Sequence, residues 1–134
     1  MRPKVLIVEY CPRIENALAE SSPGEFEFHF AANISACKNF FLHTIPQLVV
    51  FDNPCHRFND NQKEACFSEI RKLKGSLPEI KFVYFYDHIL LMGCLCITKD
   101  GSTDHIFEKT ANPEKIIEIL KSVRMSSLIS PDIA

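Results

Sequence analysis

The sequence has little of what several classes of protein require. It contains four glycines, and none lies in the turn after the first predicted strand, residues 10–13, so the phosphate-cradling loop of nucleotide- and flavin-binding folds is missing there. The longest apolar stretch, residues 89–97, is interrupted by Gly93 and falls short of the roughly 20 residues that cross a bilayer. A net charge of −2 provides no broad basic field for nucleic acid. We therefore expect no membrane span and no direct nucleic-acid binding.

A secretory signal is also missing, because the first nine residues hold too short an apolar run. The six cysteines lie inside apolar segments, and no two of them have the C-x-x-C spacing. We expect a cytoplasmic protein with reduced, mostly buried thiols. An alternative is a transition-metal or redox site, because four ligand-type residues follow predicted strands at one edge of the sheet, namely Cys11, Cys55, His56 and His88.

What is present is enough for one ordinary domain. The chain has 134 residues, of which 46% are hydrophobic and 24% charged, as in average soluble proteins. We predict a domain over residues 1–125 and a tail, or the start of a linker, over residues 126–134. Whether an output domain follows Ala134 is not visible in the sequence.

Apolar β-rich runs alternate with helical patterns along the whole chain, which is typical of βα units that build a parallel sheet. The predicted strands cover residues 4–8, 25–30, 48–51, 81–86 and 105–107, and the predicted helices cover 12–20, 34–43, 61–74, 88–98 and 113–124. Near-continuous apolar runs predict that the first, third and fourth strands are central. The second run alternates charge or His with Phe, which predicts an edge strand. Asn112 before Pro113 predicts an N-cap for the last helix.

Ligands of an open parallel sheet bind at the carboxyl ends of the strands. There the sequence places Glu9 after the first strand, Asp52 after the third and Lys109 after the fifth. An Asp nucleophile, a Glu that supports a metal ion and a Lys that balances phosphoryl oxygens form a plausible phosphoryl site. The alternative is structural, because Asp52-Asn53-Pro54 is also a good turn sequence.

From about residue 4 to residue 124 the chain resembles the receiver domains of response regulators. The pieces that carry the resemblance are VLIVE, PQLVVFD and GSTDHIFEK, with the family's spacing from Tyr86 to Lys109. The resemblance implies a three-layer α/β fold, a flavodoxin-like (βα)5 doubly wound parallel sheet with strand order 2-1-3-4-5. It also implies two-component phosphorelay signalling, in which Asp52 takes phosphate from a histidine kinase or phosphotransfer protein and Lys109 contacts that phosphate. No enzyme activity is expected beyond self-phosphorylation and dephosphorylation at Asp52.

Four positions depart from the family pattern. Tyr10 replaces the second acid, so Glu9 and Asp52 are expected to form only a weak Mg²⁺ site, because a phenol is a poor ligand for a hard cation. Tyr86 replaces the hydroxyl residue after the fourth strand, and Ile106 replaces the aromatic switch residue of the fifth. Thr110 replaces the proline that follows the lysine. The resemblance therefore implies an atypical member with altered switch positions.

The predicted helix over residues 88–98 carries apolar residues around its whole circumference. In receivers this region and the last helix form the usual signalling and dimer surface. We expect a downstream protein or a second copy of the chain to bind through residues 88–98 and 112–124. A buried strand, or a helix under the C-terminal tail, is the alternative.

Three functions stay open on the sequence. The first, which the sequence favours, is a working receiver that is phosphorylated at Asp52. The alternative is a pseudo-receiver that serves as a protein-interaction module without phosphate. The third, an enzyme of flavodoxin-like architecture, ranks low because the turn after the first strand lacks glycine.

Overall fold

The computed structural model describes residues 2–9, 12–19, 24–52, 60–86, 105–108, 110 and 112–126. The strands and helices are β1 (Lys4–Glu9), α1 (Arg13–Ala19), β2 (Glu27–Ala31), α2 (Ile34–Phe41), β3 (Leu48–Asp52), α3 (Asp60–Ser76), β4 (Lys81–Tyr86), β5 (His105–Glu108) and α4 (Pro113–Ser126). From β1 to β4 strands and helices alternate, as predicted. The predicted helix over residues 88–98 and residues 127–134 of the predicted tail lie outside the described residues.

The five strands form one parallel sheet in the order β2-β1-β3-β4-β5. This order confirms the predicted α/β fold with the order 2-1-3-4-5. It also confirms that the three most apolar strands are central and that the strand with alternating Phe residues lies at an edge.

Alternation along the central strands sends side chains to two separate halves of the core. On one side, residues such as Ile7, Val50 and Phe85 pack with α1 and α4. On the other side, residues such as Leu6, Val49 and Phe82 pack with α2 and α3. The sheet is therefore covered by helices on both faces, which explains why its central strands are apolar throughout.

An apolar stripe fixes α4 against the sheet, and a side-chain cap satisfies its first turn. Ile116, Leu120 and Val123 of α4 are buried, as the sequence pattern predicts. The Oδ1 atom of Asn112 accepts hydrogen bonds from the backbone N–H groups of Glu114 at 2.9 Å and Lys115 at 3.2 Å, which confirms the predicted N-cap. None of the helices in the described ranges is both long and apolar enough to span a bilayer.

Several predicted boundaries were wrong by one or two residues, as at the end of α2, which is Phe41 rather than His43. β2 begins at Glu27 rather than Glu25, because its first ladder bond runs from the Glu27 N–H to the Pro3 carbonyl at 2.9 Å. The third helix was predicted to end at residue 74, but α3 continues to Ser76 and holds Gly75 in its last turn. An added Cβ at Gly75 would meet no atom within 4 Å, so the helix accepts this glycine without a packing reason.

Candidate functional site

Two carboxylates meet at the carboxyl ends of the two central strands β1 and β3. Glu9 ends β1 and Asp52 ends β3, and the two residues are direct partners in the parallel register. They are 4% and 8% exposed, and within the described ranges they are the two buried charged residues. Burying two acids side by side is costly unless hydrogen bonds or opposite charge compensate them, so their partners define the site.

Glu9 is compensated by the first turn of α1. Its Oε2 atom accepts a hydrogen bond from the backbone N–H of Ile14 at 2.8 Å, and its Oε1 atom accepts one from Glu15 at 3.0 Å. These N–H groups have no partner inside the helix, so the carboxylate satisfies them as a cap does. Burial raises the pKa of Glu9 above its ordinary value, against the lowering effect of the two hydrogen bonds, and the neighbouring Asp52 adds to the rise.

Asp52 is compensated by Arg13, the first residue of α1. Arg13 donates from Nε to Oδ2 of Asp52 at 3.2 Å and from Nη2 to Oδ1 at 2.5 Å. This two-point pairing of guanidinium and carboxylate is the strongest geometry open to an ion pair. Only 7% of the Asp52 side chain and 24% of the Arg13 side chain are exposed, so solvent screens the pair weakly.

The same guanidinium reaches the connection between β5 and α4, where Arg13 Nη1 donates to the backbone carbonyl of Thr110. The Thr110 hydroxyl in turn accepts a hydrogen bond from the backbone N–H of Asn112 at 3.2 Å. Arg13 therefore ties together the start of α1, the end of β3 and the approach to α4.

These contacts determine whether Glu9 and Asp52 can bind a metal ion. Each of the four carboxylate oxygens of Glu9 and Asp52 already accepts an N–H donor, and the cation beside Asp52 is the guanidinium of Arg13. A Mg²⁺ ion shared by Glu9 and Asp52 would have to bind the second lone pairs of these oxygens and lie close to the positive charge of Arg13, which disfavours it there. Within the described residues, no group of three or more His, Cys, Asp or Glu residues could hold a metal ion. The weak Mg²⁺ site stays a prediction.

The remaining predicted site residues lie partly outside the described ranges. Ile106, the predicted switch position, is half-buried in β5 and packs against the α2 and α3 side of the core. Tyr86 ends β4, where its backbone pairs with Glu108, but its side chain is not among those described. Outside the described residues altogether are Tyr10, Cys11, Cys55, His56, His88 and Lys109.

Sequence reasoning missed Arg13. It lies four residues after Glu9, in the turn that we inspected only for glycine. A basic residue at the same edge as two acids was the available signal. Beside this turn, a cavity of about 240 Å³ is lined by Glu9, Pro12, Glu15, Phe30, Ala31 and Ala32.

No protein-family model and no curated protein matches this sequence. Among solved structures the chain is similar to NtrX from Brucella abortus, with a TM-score of 0.73, 16% identity and coverage of 96% of this chain and 28% of that one. It is also similar to a response regulator receiver domain protein from Clostridium thermocellum (TM-score 0.67, 15% identity, coverage 96% and 99%). A third is the signal receiver domain of an HD domain-containing protein from Pseudomonas fluorescens Pf-5 (TM-score 0.70, 13% identity, coverage 97% and 100%).

The chain thus spans less than a third of the NtrX chain but nearly all of the two receiver structures. At these identities the likeness concerns the fold alone. It agrees with the strand order of the sheet. The chain has the fold of response-regulator receiver domains.

Proposed function

We propose that the chain is a signal-transduction module of the receiver type that acts through protein–protein contacts without phosphorylation of Asp52. The observation that carries the proposal is the two-point pairing of Arg13 with Asp52. The guanidinium gives the buried acid the positive charge that a divalent cation would otherwise supply. The receiver fold supports the signalling class of the function.

Nucleophilic attack by Asp52 is hindered by this pairing. A carboxylate that attacks phosphorus must direct an oxygen lone pair at the phosphodonor, and both oxygens of Asp52 hold N–H donors of Arg13. Breaking such a pair without replacement leaves a buried carboxylate uncompensated and costs on the order of 2–3 kcal/mol. Glu9 cannot easily recruit a metal ion to repay that cost, because its own oxygens bind the start of α1.

The sequence departures act in the same direction. Tyr10 replaces the acid that the resemblance assigns to Mg²⁺, and Tyr86 replaces the small hydroxyl residue. The site lacks the acid that Tyr10 replaces and gains the guanidinium of Arg13. Such a site is better suited to stabilising one conformation of the domain than to phosphorylation and dephosphorylation of Asp52.

The second candidate is a phosphorylated receiver, in which Asp52 accepts phosphate from a histidine kinase or phosphotransfer protein and Lys109 contacts the phosphate. The position of Asp52 favours it, because a carboxylate at the end of a central strand, next to Glu9, lies where ligands of such sheets bind. Each carboxylate oxygen also has a second lone pair that the Arg13 contacts do not use. In this candidate Asp52 attacks through one of these lone pairs while Arg13 stays beside it.

The two candidates differ in one measurable product. The purified chain is incubated with Mg²⁺ and a small phosphodonor such as acetyl phosphate, and intact mass is recorded beside an ordinary receiver treated in the same way. We expect no phosphoryl adduct on this chain under conditions that label the ordinary receiver.

Two variants complete the test. Arg13→Gln removes the guanidinium but keeps a polar side chain. A phosphoryl adduct on this variant, with none on the unmodified chain, would support the view that Arg13 hinders phosphorylation of Asp52. An adduct on the unmodified chain that disappears in Asp52→Asn would overturn the proposal and establish the second candidate. Circular dichroism of each variant shows that loss or gain of labelling is not caused by unfolding.

A further inference from the structure

β2 lies at the edge of the sheet, and in the described part of the chain its backbone pairs with β1 alone. The N–H of Glu27 donates to Pro3 of the β1 side at 2.9 Å. In a parallel pair the residue whose N–H points to the neighbouring strand also directs its carbonyl there, and alternate residues point away. Glu27, His29 and Ala31 therefore bond to β1, while Phe28 and Phe30 direct their N–H and carbonyl groups outward.

The side chains of β2 separate by face. Phe28 and Phe30 are half-buried and pack against the α1 and α4 side of the core. Glu27 and His29 lie on the other face, where Glu27 Oε2 and His29 Nε2 are 2.6 Å apart and the two side chains are 36% and 35% exposed. The strand has no lysine or proline, which are the residues that commonly protect an exposed sheet edge.

We propose that two copies of the chain pair through β2 in antiparallel orientation, with the two-fold axis at Phe28. In this register Phe28 faces Phe28 of the second copy, and the outward N–H of each donates a hydrogen bond to the outward carbonyl of the other. Phe26, just before β2, faces Phe30 of the second copy, and its carbonyl would exchange the long hydrogen bond from Arg2 Nη1, at 3.5 Å, for the N–H of Phe30. The two five-stranded sheets become one continuous sheet of ten strands.

The charges of Glu27 and His29 favour the register centred on Phe28 over the registers centred on Glu27 or His29. If one strand slides by one residue along the other, the outward N–H and carbonyl groups of one copy face residues of the other copy whose groups point inward. Only registers in which a residue faces its own counterpart across the axis are therefore possible. Centring the axis on Glu27 sets two carboxylates face to face, and centring it on His29 sets two imidazoles face to face. Centring it on Phe28 sets each Glu27 opposite His29 of the other copy.

The like charges in the chosen register are farther apart than the unlike ones. Directly facing residues have Cβ atoms about 4.5–5.5 Å apart, whereas diagonal neighbours such as the two Glu27 residues are about 7–8 Å apart. On the opposite face the half-exposed rings of Phe28 and Phe30 gain aromatic cross-strand partners. Both faces of the edge are therefore self-complementary in one register.

Charge exchange tests the interface in solution. The molar mass of the full chain is measured across a range of concentrations by analytical ultracentrifugation, and a concentration-dependent dimer is expected. Glu27→Lys sets a positive charge opposite His29 at two symmetric places and should weaken the dimer by about tenfold or more. Glu27→Lys together with His29→Glu restores opposite signs across the axis and should restore the dimer.

Glu118→Lys is the matched control, because it makes the same charge change at an exposed position of α4. It should leave the dimer unchanged. A chain that stays monomeric at every concentration, or a dimer that Glu118→Lys dissociates and Glu27→Lys does not, overturns the proposal. Thermal unfolding of each variant checks that the monomer fold is kept.

Disulfide trapping tests the register itself. Chains carrying Glu27→Cys are mixed with chains carrying His29→Cys under mild oxidation, and the linked peptides are identified by mass spectrometry. The yield of the mixed disulfide should exceed that of either homodimeric disulfide, because only the cysteine at position 27 of one copy and the cysteine at position 29 of the other face each other directly. In the mixed dimer the second facing pair is still Glu27 and His29. An excess of either homodimeric disulfide contradicts a two-fold axis at Phe28.

Discussion

Arg13 and Asp52 form a two-point ion pair between the first residue of α1 and the last residue of β3. The pair joins a helix to the centre of the sheet at the edge where such folds bind their ligands. Asp52 is nearly inaccessible there, and the pairing with Arg13 makes its burial tolerable. The stability of the acid site and its chemistry therefore depend on the same contact.

Replacing Arg13 should destabilise the fold. Arg13→Ala leaves Asp52 buried without its cation, and we expect the free energy of unfolding to fall by about 2–3 kcal/mol in urea titrations. Arg13→Lys should recover only part of the loss, since an ammonium group cannot repeat the two parallel hydrogen bonds. Lys121→Ala removes a lysine that is 54% exposed and pairs with Glu25 at 3.2 Å, and it should cost less than about 1 kcal/mol. Equal losses for Arg13→Ala and Lys121→Ala would contradict the structural role given to Arg13.

The raised pKa of Glu9 predicts a pH-dependent contribution to stability. Because burial raises the pKa of Glu9 in the folded chain above the ordinary value of 4.5, the folded state binds the proton more tightly than the unfolded state. The resulting stabilisation is fully present below pH 4.5 and is lost as the pH rises through the folded pKa.

Glu9→Gln isolates this contribution, because glutamine does not titrate. The free energy of unfolding of the unmodified chain, relative to that of Glu9→Gln, should decrease as the pH is raised from about 4.5. Urea titrations of both proteins over a pH series measure the difference in their free energies of unfolding. The contributions of the other carboxylates cancel in this difference because both proteins contain them. A difference that is constant with pH would show that Glu9 titrates alike in the folded and unfolded states.

The cap of α4 should be replaceable only by another hydrogen-bond acceptor. Asn112→Ala removes the acceptor for the N–H groups of Glu114 and Lys115, and we expect a loss of about 1 kcal/mol. Asn112→Asp keeps an acceptor and adds a negative charge at a helix N-terminus, so it should retain the stability. Thermal and urea unfolding compare the three proteins, and a loss in Asn112→Asp equal to that in Asn112→Ala would argue against capping.

The buried thiol of Cys37 should be chemically silent. Burial raises the pKa of Cys37 to about 12, so the reactive thiolate is scarce at ordinary pH. We expect iodoacetamide at pH 8 to leave Cys37 unmodified in the folded chain and to modify it fully in denaturant. Peptide mapping by mass spectrometry gives the extent at Cys37 in both samples, and the denatured sample is the control. Rapid alkylation of the folded chain would place Cys37 nearer the surface.

The fold could be predicted because its information is local or periodic. The runs that became β1, β3 and β4 are apolar at nearly every position, as strands covered on both faces must be. The alternation around Phe28 and His29 identified the edge strand. The strand-end rule then found Glu9 and Asp52, since the last residue of a buried strand can be read from the sequence.

The partners of these acids could not be predicted in the same way. Arg13 reaches Asp52 and Thr110, and nothing in the local sequence states which distant group a long flexible side chain will contact. The strand-end pattern predicts a metal-supporting role for Glu9, which stays a prediction, but it does not predict that the Glu9 oxygens accept hydrogen bonds from the first turn of α1. Ordinary hydrogen-bond satisfaction explains that contact, but it depends on how closely α1 approaches the end of β1.

Arg13 is synthesised well before the groups that it binds. Asp52 follows it by 39 residues and Thr110 by 97. A nascent chain that has not yet emerged from the ribosome as far as Thr110 can form the first of these contacts but not the second. Because contacts so distant in sequence require the closure of long loops, they form late in folding. An intact set of Arg13 contacts therefore indicates that translation has passed Thr110 and that the two ends of the domain have come together.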